Sequence, residues 1–261
     1  MLQDLLRTLR TLATFRQPAG SAHDYERKCV VDAQTDDVQV LKRILSAYNV
    51  AKVKNCFSPE LLDRIRLAAT EKYRAREAGI KSGNVPEAAK LRYRRRTILL
   101  NEFNVSEINM TSFVVPELIL EAAREYLGKD PTQAISAVRA IVPGLDDQRL
   151  PFHQDQTILQ SPLLNIWFPL TPCGVTAPGL EVAVTSERKI LEVAGSQDDE
   201  IPVERARIDE KLVSGVFGAE ALWHPAMRVG EALVFTGTTA HRTFVTPEMT
   251  DTRMSIELRL V

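Results

Sequence analysis

Apolar and polar positions change rhythm near the middle of the chain. Up to about Gln133 the apolar residues recur at three- and four-residue spacing, the period of amphipathic helices; beyond it they gather in short runs broken by Pro and Gly. In the first half, "VQVLKRILSAY" predicts a helix running into "NVAKVKNCF", where Val50, Val53 and Phe57 predict a short strand. A helix start follows. Ser58 is a good N-cap, Pro59 suits the first helical position, and "ELLDRIRLAATEKYRAREAG" keeps helical spacing to a stop at Gly79. "KSGNVPEAAK" predicts a loop, and "VPELILEAAREYLG", Val115 to Gly128, a helix with a glycine stop. At the N-terminus, Leu2, Leu5, Leu6, Leu9 and Leu12 share a helical face, which predicts a helix docked on the domain or on a second subunit.

The second half carries "ISAVRAIVPG", "LLNIWFPLTPCG", "GLEVAVTS", "EALVFTG" and "MSIELRLV". Short strands between turn signals predict an antiparallel sandwich or jelly roll rather than the strand–helix alternation of a parallel sheet. The intervening "SQDDEIPVERARIDEKLVSG" is charged and predicts a solvated loop and helix on the rim. No internal repeat divides the 261 residues, and a single domain is expected.

Composition changes this picture little. A hydrophobic content of 44%, a charged content of 26% and a net charge of -1 describe an ordinary globular domain with no bias toward nucleic acid or anionic membrane. Cys29, Cys56 and Cys173 are widely spaced and lack a C-x-x-C, so they read as reduced packing residues of a cytoplasmic protein. No apolar stretch has the length of a transmembrane helix, and Asp4 and Arg7 interrupt any signal-peptide core.

The chemistry is concentrated in "PFHQDQ", Pro151 to Gln156. His153-x-Asp155 is a weak signal alone: with 4 His in the chain, roughly 0.2 such triplets arise by chance, and a hydrogen-bonded turn pair is the plain alternative. Downstream, "GEALVFTGTTAHRTFVTPEMTDTRMSIELRLV" offers a strand, His241, and then Arg253-x-Ser255 on the last strand. Two imidazoles and a carboxylate on one face of an octahedron form the ligand set of non-haem Fe(II) oxygenases, with three positions left open. An inward Arg253 suits a keto acid, because a guanidinium clamps a carboxylate through two hydrogen bonds. His224 in "ALWHPAM" reads as a loop histidine, Trp167 is open to a core role, and Arg253 is open to a surface pair with Asp251. Arg92, Arg94, Arg95 and Arg96 read as a solvated face, or as a contact for an anionic substrate.

Together these segments resemble the Fe(II)/2-oxoglutarate dioxygenases of the phytanoyl-CoA dioxygenase family. "NVAKVKNCFSPELLDRIRLAA" is similar to that family's N-terminal strand and helix, "PFHQDQ" to its proximal ligand motif, "LLNIWFPLTPC" to the following strand, and "GEALVFTGTTAHRT" to its distal histidine segment. The likeness runs from about Tyr48 to Val261, after a helical extension over residues 1–47. It implies a double-stranded β-helix core of the cupin-like jelly-roll kind, with His153, Asp155 and His241 as iron ligands. It further implies Arg253, with Ser255, as the 2-oxoglutarate anchor, and Gln154, Trp167 and Thr243 around the co-substrate. One departure concerns substrate: "APGLEVAVTSERK" has no histidine near Ser186 where many relatives carry one.

The function implied is an oxygenase that takes Fe(II), 2-oxoglutarate and O2 and hydroxylates a C–H bond of a small organic molecule, for instance in specialised metabolism. Retention of Asp155 speaks against a halogenase, in which halide takes the carboxylate's place. The rival is a cupin-like metal-binding isomerase, hydrolase or ligand-binding protein, for which an inward Arg253 has no obvious purpose. No nucleic-acid or membrane partner is expected, the oligomeric state is expected to be monomer or homodimer, and residues 196–215 and 81–90 are candidate lids.

Overall fold

The computed structural model describes residues 22–103 and 115–261; the leucine-rich N-terminal segment lies outside the described residues. Among them the strands form two sheets. The larger has seven strands, β1 (Val30–Asp32), β2 (Val50–Lys54), β8 (Ala232–Thr236), β5 (Leu164–Pro169), β10 (Arg253–Leu260), β4 (Ala137–Ile141) and β3 (Thr97–Leu99), in that spatial order. The smaller has β7 (Leu222–Trp223), β6 (Gly179–Ala183) and β9 (His241–Phe244), and isolated bridges His153↔His241 and Cys173↔Met227 extend this face. The pairings are antiparallel as expected, with one exception. After a first helix, α1 (Ala22–Lys28), β1 and β2 run parallel because helix α2 (Val38–Tyr48) carries the chain back between them.

Burial follows the period of each element. α2 starts at Asp37, whose side chain accepts from the Gln39 amide, and ends at Asn49 in the left-handed region (φ 57°). It buries Leu41, Ile44 and Leu45 and packs on helix α5 (Glu117–Leu127), which buries Ile119, Ala122 and Ala123 and stops at Gly128 as predicted. These helices, with Leu62 and Ile65 of helix α3 (Pro59–Lys81), join one hydrophobic core with Val138, Ile166, Phe168, Val234, Ile256 and Leu258 of the large sheet. Alternation then sends the intervening residues of β10, Arg253, Ser255, Glu257 and Arg259, to the opposite face, toward the small sheet.

Two predicted boundaries move. α3 begins at Ser58, whose hydroxyl accepts from the Leu61 amide, but runs past Gly79 to Lys81. A Cβ at Gly79 would lie 2.7 Å from the Val85 side chain, so this glycine permits close packing and does not stop the helix. The expected loop at residues 81–90 is shortened by a helix, α4 (Glu87–Arg94), that starts at Pro86, whose fixed φ suits a helix entry. The arginine run that follows is also more enclosed than a solvated face. Arg95 pairs with Glu204 and donates to the Arg149 carbonyl, and Arg96 lies 5.5 Å over the Tyr73 ring.

The charged stretch near residue 200 forms helices α7 (Pro202–Arg205) and α8 (Glu210–Phe217). Ile208 and Val213 dock beside Phe152, Ala183 and Ala240, and the Ile208 amide donates to the Phe152 carbonyl at 2.7 Å. Its apolar residues therefore back the "PFHQDQ" segment.

Ile256 is fully buried at the centre of β10, between β4 and β5. Ile256→Ala is expected to cost roughly 2–5 kcal/mol of unfolding free energy in urea. A loss under about 1 kcal/mol would contradict the packing of helices on this sheet.

Candidate metal centre

His153 and His241 pair through two backbone hydrogen bonds, His153 N–H to His241 O at 3.1 Å and the reverse at 3.0 Å. Residues directly opposite in an antiparallel pair project to the same side, so the rings come together with centroids 4.2 Å apart. Each Nδ1 faces a carbonyl two residues earlier, Pro151 O at 2.8 Å and Thr239 O at 3.0 Å. A carbonyl only accepts, so Nδ1 carries the proton and Nε2 presents a lone pair. Asp155 opens the short helix α6 (Asp155–Leu159), so the His-x-Asp pair straddles a bridge and a helix start instead of occupying one strand. Its Oδ1 lies 3.9 Å from His153 Nε2 and its Oδ2 3.9 Å from His241 Nε2.

All three side chains are buried, and one ligand atom from each lies within 4.8 Å of the others. Burial, with His241 beside it, draws His153 down to about 3, so the imidazole is neutral at ordinary pH. Burial alone would raise Asp155, but the Arg259 guanidinium outweighs it and holds the carboxyl well below the usual carboxylate range. Neutral imidazole and ionised carboxylate are the states that bind a metal.

Arg259 is the support behind the carboxylate. Its Nε donates to Asp155 Oδ2 at 3.3 Å and its Nη2 to Oδ1 at 3.4 Å, while Nη2 also reaches Glu257 Oε2 at 3.0 Å. Glu257 Oε1 in turn lies 3.7 Å from Arg139 Nε.

A cavity of about 10 Å³, the space of a single water, touches His153, Asp155, His241, Asn165, Trp167, Thr243, Arg253 and Glu257. Admission of a five-carbon keto diacid therefore requires lining side chains to move. Arg253 is 1% exposed, donates Nη1 to Gly179 O at 2.7 Å and stacks 5.4 Å over Trp167. Burial draws its guanidinium down to about 10, which leaves it charged at neutral pH. It has no carboxylate partner among the described residues, and the pair with Asp251 does not form.

Donors without acceptors gather on this inner face. Arg253 Nε, Trp167 Nε1, Asn165 Nδ2, Ser255 Oγ, and Arg139 Nε and Nη2 are buried without a hydrogen-bond partner. Each orphan of this kind costs about 1–3 kcal/mol, and donors in this number fit an acceptor-rich, anionic guest such as 2-oxoglutarate.

The family profile for phytanoyl-CoA dioxygenase (PhyH) matches residues 50–246. The chain belongs to this family. As a member it is a non-haem oxygenase of the kind that depends on Fe(II), 2-oxoglutarate and O2. Solved structures share the fold. AviO1 from Streptomyces viridochromogenes Tue57 is 11% identical with a TM-score of 0.59, covering 86% of this chain and 95% of that one. EvdO2 from Micromonospora carbonacea var. aurantiaca, complexed with 2-oxoglutarate, is 13% identical with a TM-score of 0.58, covering 84% and 88%. The non-heme monooxygenase ThoJ, without ligand, is 18% identical with a TM-score of 0.58, covering 86% and 77%. No curated protein sequence matches significantly.

Of the residues singled out in the sequence, the PhyH fold brings His153, Asp155, His241, Trp167, Thr243 and Arg253 to one cavity. Thr243 Oγ1 accepts from the Leu150 amide at 3.0 Å, which leaves its proton free to turn inward. Ser255 shares the inner face of β10 without lining the cavity. Gln154 is not in the cavity. Its amide nitrogen donates to Lys189 O and Thr238 O and its oxygen accepts from Leu191 N, so it ties the two histidine-bearing segments together. His224 stacks on Phe244 away from the triad, and neither residues 81–90 nor 196–215 line the cavity. The three cysteines are buried, with burial pushing each thiol up to about 12. Arg259, Glu257, Arg139 and Asn165 escape the sequence reading, although a charge inside the apolar run "AVRAI", polar residues at every second position of "RMSIELR" and the Asn inside "LLNIWF" are their signal.

Arg259→Ala is expected to weaken metal binding roughly 10–100-fold in a calorimetric titration and, because Asp155 and Glu257 lose their shared counter-charge, to lower the melting temperature as well. Unchanged metal affinity would remove Arg259 from the centre. In the metal-free protein, His153 takes up a proton less readily folded than unfolded, so stability is full above its ordinary value of about 6.5 and falls as pH drops toward 3. The expected slope from this residue is about 1.4 kcal/mol per pH unit within that window, and His153→Gln should flatten it. An identical slope in the variant would contradict the buried, neutral imidazole.

Proposed function

We propose that the chain hydroxylates a C–H bond of a small organic molecule, with His153, Asp155 and His241 holding the iron and Arg253 anchoring the far carboxylate of 2-oxoglutarate. The reading is carried by one observation: the three ligand side chains and an inward guanidinium with no carboxylate partner border the same buried cavity. Two imidazoles and one carboxylate leave three coordination positions for a chelating keto acid and dioxygen. When bound, the iron and keto acid supply the electrons for dioxygen activation through oxidative decarboxylation to succinate and CO2.

The protein's own residues do the remainder. Pro151 O and Thr239 O fix both imidazole tautomers, and Arg259 keeps Asp155 ionised and oriented. Arg253 supplies a charged donor at the end of the co-substrate site, with the Thr243 hydroxyl beside it and the unpartnered Ser255 hydroxyl behind it on the inner face of β10. The buried walls exclude bulk water, which strengthens each of these interactions and limits side reactions. Asp155 also favours hydroxylation over halogenation, since it fills the position a halide would need. Three free, buried thiols support a cytoplasmic setting.

The test is an anaerobic titration with Fe(II) and 2-oxoglutarate, following the visible charge-transfer band of an iron-chelated keto acid. The wild type is expected to develop the band, Asp155→Ala to lose it, and Arg253→Ala to need roughly tenfold or more 2-oxoglutarate, the loss of a charge-assisted contact. Absence of the band in metal-loaded wild type, or an unchanged requirement in Arg253→Ala, would overturn the reading.

A further inference from the structure

Arg139 stands apart from the other guanidiniums of the inner face. It sits on β4 in register with Ser255 of β10, is 6% exposed, and leaves Nε and Nη2 without a hydrogen-bond partner. Its one ionic neighbour among the described residues, Glu257, is 3.7 Å away, and the other oxygen of that carboxylate already accepts from Arg259 Nη2 at 3.0 Å. The nearby Arg95 is neutralised by Glu204, and the nearby Tyr73 hydroxyl donates to backbone carbonyls.

Charge on this face does not balance. Among the described residues, Arg139, Arg253 and Arg259 carry three positive charges, against two negative charges on Asp155 and Glu257. Fe(II) brings two positive charges and 2-oxoglutarate two negative ones, so loading the centre as proposed above leaves the same excess of one. An isolated buried charge is costly unless a counter-charge reaches it. With Arg259 committed to Asp155, Glu257 shared, and Arg253 assigned to the co-substrate, the excess resides on Arg139.

We propose that the primary substrate carries a carboxylate and that Arg139 receives it. This rests on the oxygenase reading and adds the substrate class: an anionic small molecule, tethered by its carboxylate at β4 so that a carbon elsewhere in it lies toward the metal. A second carboxylate source, 2-oxoglutarate itself, has the same chemistry, and charge balance favours the primary substrate over it.

The test uses full-length protein loaded anaerobically with Fe(II) and saturated with 2-oxoglutarate, with acetate as the probe and acetamide as its neutral counterpart, measured by calorimetry. Wild type is expected to bind acetate saturably and acetamide at least about tenfold more weakly; Arg139→Gln should lose about tenfold or more in acetate affinity, and Arg139→Lys should restore part of it. In the same variants 2-oxoglutarate affinity should change by less than about threefold. Three results would overturn the proposal: no saturable acetate binding in wild type, equal acetate affinity in Arg139→Gln, or a roughly tenfold loss of 2-oxoglutarate affinity in that variant, which would give Arg139 to the co-substrate. If wild type takes up neither iron nor 2-oxoglutarate, the oxygenase reading fails. Acetate titration of the metal-free protein, Arg139→Gln against Arg253→Gln, then still reads which guanidinium takes the anion.

Discussion

Asp155 can keep its charge inside this protein only because Arg259 stands against it. A carboxylate transferred from water to a protein interior loses several kcal/mol of hydration, and in isolation it would take up a proton and stop being a ligand. The guanidinium of Arg259 reaches both carboxylate oxygens from behind, and the two imidazoles face them from the front. Arg259 is itself largely enclosed and leans on Glu257, which leans on Arg139. The line of alternating charge runs along neighbouring strands of the large sheet. The β10 register that aligns it also aligns Ile256 and Leu258 with the hydrophobic core.

That arrangement explains why the fold needs two sheets. In a single sheet the charged face of β10 would be solvated and its apolar face covered by helices. Here the small sheet covers the charged face, and the cover itself carries His241 and, through one bridge, His153. The metal ligands and the guanidiniums therefore meet in a space shielded from water. Gln154, Ile208 and the apolar residues of α8 hold the ligand segment against the rest of the fold.

Much of this was legible in the chain. The triad could be read because His153-x-Asp155 and His241 are separated by strand-forming runs that a jelly roll brings together, and Arg253 because it interrupts a β-type run. Helix ends at Asn49 and Gly128 obeyed local rules, since left-handed caps depend on the residue itself. Gly79 did not, because its reason is a tertiary contact with Val85. Arg259 and Arg139 remained hidden for a related cause. Alternation along "RMSIELR" assigns Arg259 to a face, but only the pairing of strands shows that this face is covered and that Asp155 lies on it. Gln154 shows a role that its sequence neighbourhood does not announce: it stands between two ligands, and its amide bonds backbone groups of two other segments.

The most direct measurement is a crystal structure of the protein soaked anaerobically with Mn(II) and 2-oxoglutarate, with anomalous data collected for the metal. The account predicts one anomalous peak ligated by His153 Nε2, Asp155 and His241 Nε2, with the far carboxylate of the keto acid on Arg253. A metal bound elsewhere, or a keto acid whose far carboxylate avoids Arg253, would contradict it.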